Sequence, residues 1–107
     1  MIAAFVTFDA DDLDEARVRK VAAEARPLFE GMPNLRNKLF TLDETKTRAT
    51  NVYVWESDAA AREFFSAELV ERVTDLYGVR PRIEFAEIVE LIDNNTSTRA
   101  RATIHAD

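Results

Sequence analysis

No cysteine occurs in the 107 residues, which excludes a disulfide framework and thiolate chemistry and suits a reducing compartment. Two glycines and three prolines are too few for a disordered chain. Histidine is almost missing as well. His105 stands alone near the C-terminus, where a single imidazole without partner ligands makes no metal site. It reads as a solvated bystander. Basic residues are in deficit, 14 Lys and Arg against 20 Asp and Glu for a net charge of −6. That balance disfavours nucleic acid, whose phosphates need a cationic surface, and it disfavours an anionic membrane. No apolar run approaches the length of a membrane span. The first residues lack the basic, long apolar and small-residue regions of a signal peptide, so the expected location is cytoplasmic. There is no Gly-rich phosphate loop, no Ser-centred nucleophile elbow and no His-Glu metal motif.

What is present suffices for one domain with one core: 47% of the residues are apolar. Ile2–Phe8 is apolar throughout and rich in β-favouring types, which predicts a central strand covered on both faces. Asp12 followed by Glu15 suggests a capping box for a helix from about Leu13 to Glu30. Val18, Val21, Ala22, Ala25, Leu28 and Phe29 form its apolar stripe. The acidic run Asp9, Asp11, Asp12, Asp14, Glu15 lacks the central Gly and distal Glu of a calcium loop. Acids there suit the helix start. Pro27 should kink or tighten the helix near its end, and Gly31-Met32-Pro33-Asn34 should stop it.

Two strands follow, Leu35–Leu42 and Arg48–Ser57, joined by the short loop Asp43–Thr47. Ser57 or Asp58 caps a second helical stretch that carries Ala61, Phe64, Phe65, Leu69, Val70, Val73 and Leu76 inward and ends at Gly78. Ser66–Glu68 is the place for a break in it. Pro81 opens a last strand, Ile83–Ile92. The expected division is a domain over 1–92 and a polar tail or dimer arm over 93–107.

The order β-α-β-β-α-β is the ferredoxin-like split βαβ arrangement, an α+β fold with a four-stranded antiparallel sheet and both helices on one face. Asn51, Tyr53 and Trp55 alternate and so share a face. Pairing Lys38 with Tyr53 sets Phe40 opposite Asn51 and Arg36 opposite Trp55, and sends Leu35, Leu39, Val52 and Val54 towards the helices. The aromatic face is then expected to be the open one. Closing it with a second copy would give a symmetric homodimer with a small-molecule cavity between helices and sheet or between the two sheets. Tyr53 and Trp55 would stack on a planar ligand, Asn51 would hydrogen-bond a carbonyl or hydroxyl, and Lys38 would favour an anion. The alternative also stands: the same rings can be filler in a dimer interface.

The segments Gly31–Phe40 and Ala49–Ser57, with Gly78-Val79 before the last strand, resemble the YdhR-type monooxygenases of the dimeric α/β-barrel (antibiotic-biosynthesis-monooxygenase-like) superfamily. Where that family reads Trp-Lys-x-Trp, this chain has Asn37-Lys38-Leu39-Phe40. Where it reads Ala-Gly-Gly-x-Tyr, this chain has Ala49-Thr50-Asn51-Val52-Tyr53. The lost glycines fill space near the pocket, so a different ligand is expected. The resemblance implies a homodimeric dimeric α/β barrel and cofactor-independent oxygenation of an activated aromatic or polyketide-like substrate, with O2 as co-substrate and no metal. Lys38, Asn51 and Tyr53 would be catalytic. Phe40, Trp55, Phe5 and Phe85 would bind substrate. An isomerase, a lyase or a non-catalytic ligand-binding domain on the same fold is the rival. The haem-degrading branch needs a pocket histidine, which this chain does not offer.

Overall fold

A computed structural model describes residues 1–94. The elements run β1 (Ile2–Asp9), α1 (Glu15–Phe29), β2 (Leu35–Leu42), β3 (Arg48–Trp55), α2 (Asp58–Phe64), α3 (Ala67–Tyr77) and β4 (Arg82–Glu87). The four strands form one sheet in the order β2-β3-β1-β4, every neighbour antiparallel. This is the ferredoxin-like α+β arrangement expected from the order of elements.

Each helix boundary has a local cause. Asp14, two residues later than the expected Asp12, is the N-cap of α1 and accepts from the Arg17 N–H at 3.1 Å. Ser57 and Ser66 cap α2 and α3 in the same way. Gly31 at φ 76° and Gly78 at φ 79° hold the left-handed conformation that follows α1 and α3. Pro27 is accommodated inside α1, which runs through it to Phe29. The break at Ser66 divides the second helical stretch, with Phe65 at φ −86° and ψ 63°. On an unbroken helix Phe64 and Phe65 would diverge by about 100°. Here both reach the sheet. Phe64 packs against Phe29 and Trp55, and Phe65 against Tyr53 and Phe85.

The core lies between the helices and one face of the sheet. Val18 of α1, Ala61 of α2 and Tyr77 of α3 share a cluster with Ala4, Val6, Phe8, Tyr53 and Trp55. The facing predicted for the hairpin is therefore reversed. Tyr53 and Trp55 are buried under the helices, and Val52, Leu39 and Phe5 belong to the opposite face. Alternation divides residues into two faces but does not say which one is covered. The rings of Tyr53 and Trp55 fill the gap between helix and sheet, against Phe64 and Phe65.

Lys38 does pair with Tyr53, and Phe40 with Asn51. Arg36 does not face Trp55. A bulge between Leu35 and Asn37 sets Leu35 there instead. The extra residue keeps Leu35 on the helix side together with Lys38. β4 is shorter than the Ile83–Ile92 expected. The Ile88 N–H donates to the Met1 carbonyl at 3.1 Å, and the chain then leaves the ladder. Leu91 and Ile92 come to lie beside Leu39 and Val54 on the open face. Of the expected 93–107 tail only residues 93 and 94 are described, and His105 lies outside the described residues. No helix among the described residues is long and apolar enough to cross a membrane.

Candidate functional site

A cavity of about 300 Å3, partly open to solvent, lies between α1, α3 and the β2–β3 half of the sheet. Its floor is Lys38, Phe40, Asn51 and Tyr53, brought together by the β2–β3 register. Phe29 of α1 and Tyr77 of α3 are among the walls. Leu28 and Leu76 also line it, and they are 71% and 41% exposed. They mark the mouth rather than the interior stripe to which spacing assigned them. A larger, more open groove of about 590 Å3 lies outside β2, against α1, and shares Phe29, Lys38 and Phe40. The enclosed cavity is the better candidate because it alone adds Asn51, Tyr53 and Tyr77, polar groups converging within an apolar wall.

Lys38 is the centre of the arrangement. Its Nζ lies 3.6 Å from the Tyr53 ring centre, 3.9 Å from that of Phe29 and 4.4 Å from that of Phe40. It pairs with no carboxylate among the described residues. Burial draws its amine down to about 7, since a desolvated ammonium is disfavoured. The three ring faces favour the ammonium and work against that shift. The result is a cation with open valence for an anion, or a neutral amine able to take up a proton, near physiological pH.

Opposite it stands a hydrogen-bonded dyad. The Asn51 amide donates to the Tyr77 hydroxyl at 3.2 Å, and both residues are buried. Since the Tyr77 oxygen accepts from Asn51, its own proton remains available for donation. The Tyr77 ring is fixed by stacking on Phe8, 3.8 Å between centres and 7° between planes. Burial raises the pKa of both phenols, and the nearby Tyr77 adds to the rise at Tyr53. They therefore stay protonated in the physiological range and serve as donors.

The expected site residues are thus divided. Lys38, Phe40, Asn51 and Tyr53 meet in the cavity. Trp55 stands behind it: buried, parallel to Tyr53 at 6.0 Å and tilted against Phe64 at 5.0 Å. Its indole N–H finds no acceptor among the described residues. Phe85 lies on the helix side near Phe65, under the Arg62 guanidinium, and not in the cavity. Phe5 pairs with Val52 and so lies on the other face of the sheet. Sequence reasoning passed over Tyr77. The signal was there, since Tyr77 falls four residues after Val73 and directly before the terminating Gly78.

No family model matches the sequence, and no curated protein does. By structure the chain is similar to a monooxygenase from the gene ActVA-Orf6 of Streptomyces coelicolor, solved in complex with nanaomycin D. The TM-score is 0.64 at 25% identity, covering 85% of this chain and 89% of that one. A candidate antibiotic-biosynthesis monooxygenase from Bordetella bronchiseptica aligns with a TM-score of 0.62 at 22% identity, covering 83% of this chain and 97% of that one. The hydroxynitrile lyase from Passiflora edulis aligns at 0.55 and 13% identity, covering 86% and 97%. These neighbours have the antibiotic-biosynthesis-monooxygenase fold. That fold supports a monooxygenase-like or related function.

Proposed function

We propose that this chain is an enzyme of the YdhR-like kind, a cofactor-independent monooxygenase acting on a small aromatic or polyketide-like substrate. The observation that supports it most is Lys38, an unpaired amine drawn to about 7 and held among three aromatic rings on the floor of an enclosed cavity. An acidic phenol or enol bound there passes its proton to the neutral amine. The resulting ammonium stabilises the substrate anion in a water-poor site. The electron-rich anion passes one electron to O2, and recombination forms a carbon–oxygen bond. Loss of water then leaves a new carbonyl. For an activated CH2 carbon the balance is CH2 plus O2 giving C=O plus H2O. Tyr77, positioned by Asn51, donates a hydrogen bond to the oxygenated intermediate.

The same reading includes a homodimer. Leu39 is 49% exposed on the uncovered sheet face, and Leu91 and Ile92 lie beside it. A second copy packed there would remove this apolar surface from water.

A second reading rests on the near-neutral amine alone. Lys38 as a general base would equally serve a lyase or isomerase that abstracts a proton and needs no O2. Oxygen uptake separates the two. With anthrone as probe, purified protein consumes O2 and Lys38→Met does not. Turnover under anaerobic conditions would favour the lyase or isomerase, and an unchanged rate in Lys38→Met would sink both.

A further inference from the structure

Acidic residues outnumber Lys and Arg in this chain by 20 to 14, yet among the described residues none of them lines the enclosed cavity. Its charged lining residues are two cations, Lys38 on the floor and Arg72 on α3. Arg72 is exposed, and the partly exposed Leu28 and Leu76 line the cavity with it.

Arg72 is also unlike the other helical arginines. Arg19 holds Glu15 at 2.9 Å and Arg62 holds Asp58 at 2.9 Å, each four residues back along its helix. Glu68 stands at that same spacing before Arg72. Nonetheless Arg72 makes no ion pair or hydrogen bond among the described residues and lines the cavity instead. Two cations without a carboxylate partner among the described residues, on different elements around one largely apolar chamber in an otherwise acidic protein, describe the complement of a particular ligand.

We infer that the substrate carries two acidic groups at opposite ends of an apolar ring system: a ring hydroxyl or enol that meets Lys38, and a carboxylate that meets Arg72. This rests on the cavity being the substrate site and adds the substrate class, a hydroxylated aromatic or polyketide-like acid. The chemistry suits each position. A guanidinium presents paired N–H groups in the geometry of a carboxylate and stays charged at every working pH, so it recognises a permanent anion. Lys38 meets the group whose proton moves. Leu28 and Leu76 offer apolar surface at the mouth to the hydrocarbon between them, and the Arg72 contact stays at the solvated rim.

The test uses 6-hydroxy-2-naphthoate, with its groups at opposite ends of the ring system, and its methyl ester. Binding to wild type, Arg72→Gln and Lys38→Met is followed by fluorescence titration. Wild type is expected to prefer the acid by about tenfold, the scale of one charge-assisted contact at a wet rim. Added salt narrows that preference. Arg72→Gln should abolish it by weakening the acid far more than the ester, and Lys38→Met should weaken both ligands. Equal binding of acid and ester by wild type, a preference that persists in Arg72→Gln, or no binding of the acid would each overturn the inference. Oxygen uptake is read separately. An Arg72-dependent acid preference without O2 consumption keeps this substrate class and removes the oxygenase reading. O2 consumption on neutral anthrone without any acid preference does the reverse.

Discussion

Lys38 and Tyr53 are direct partners across the β2–β3 ladder, and the Lys38 ammonium lies 3.6 Å from the centre of the Tyr53 ring. The pair ties the electrostatics of the cavity to the stability of the fold. Burial lowers the Lys38 amine from 10.5 to about 7, so the unfolded chain binds more protons between those two values. Stability therefore rises with pH from about 7 towards 10.5. The phenols of Tyr53 and Tyr77 are shifted upwards, so the unfolded chain ionises first and stability falls above the ordinary phenol range. The expected profile climbs through mildly alkaline pH and then drops. Urea midpoints measured across that range should show the climb in wild type. A climb that persists in Lys38→Met would assign it to another group.

The Asn51–Tyr77 hydrogen bond is buried, so neither partner can be removed cheaply. Tyr77→Phe leaves the Asn51 amide without its acceptor and should cost about 1–3 kcal/mol. Asn51→Leu added to Tyr77→Phe should cost less than the sum of the single changes by about 1 kcal/mol. Denaturant unfolding of the four proteins measures the coupling, and strict additivity would mean that the 3.2 Å contact contributes nothing.

Trp55 is buried behind Tyr53 and does not line the cavity. Trp55→Ala opens a cavity behind Tyr53 and should cost about 3–5 kcal/mol. Trp55→Phe should cost much less, because the indole N–H that lacks an acceptor leaves with the larger ring. Thermal unfolding orders the two variants. Ligand affinity in Trp55→Phe should match wild type, and a large loss there would return the ring to the binding site.

The uncovered sheet face gives a test of assembly. Val52→Lys and Leu39→Lys place charge where a second copy would pack, on the sheet face opposite the cavity. Sedimentation should show wild type as a dimer and the double variant as a monomer with an intact circular dichroism spectrum. A wild-type chain that sediments as a monomer removes the dimer from the proposal.

Much of this was legible before any coordinates. The order of elements, the Lys38–Tyr53 register, the break at Ser66 and the stop at Gly78 follow from local rules of pairing, capping and turn chemistry. What was not legible is relational. Period-two alternation puts Tyr53 and Val52 on different faces, and nothing in either segment says where α1 and α3 will lie. The bulge at Arg36 was hidden because Leu35, Arg36 and Asn37 alternate acceptably in either register. Arg72 reads as one more solvated helical charge until α3 is set over the sheet.

The break at Ser66 has a consequence for how such a site can change. α2 is pinned by Phe64 and Phe65 into the packed rings, whereas α3, which carries Arg72 and Tyr77, begins anew at its own cap. The wall that α3 supplies thus starts at its own cap, and its covalent connection to α2 is the short link at Phe65 and Ser66. Lengthening or shortening that link re-cuts the chamber for a ligand of another size, and the floor keeps its lysine.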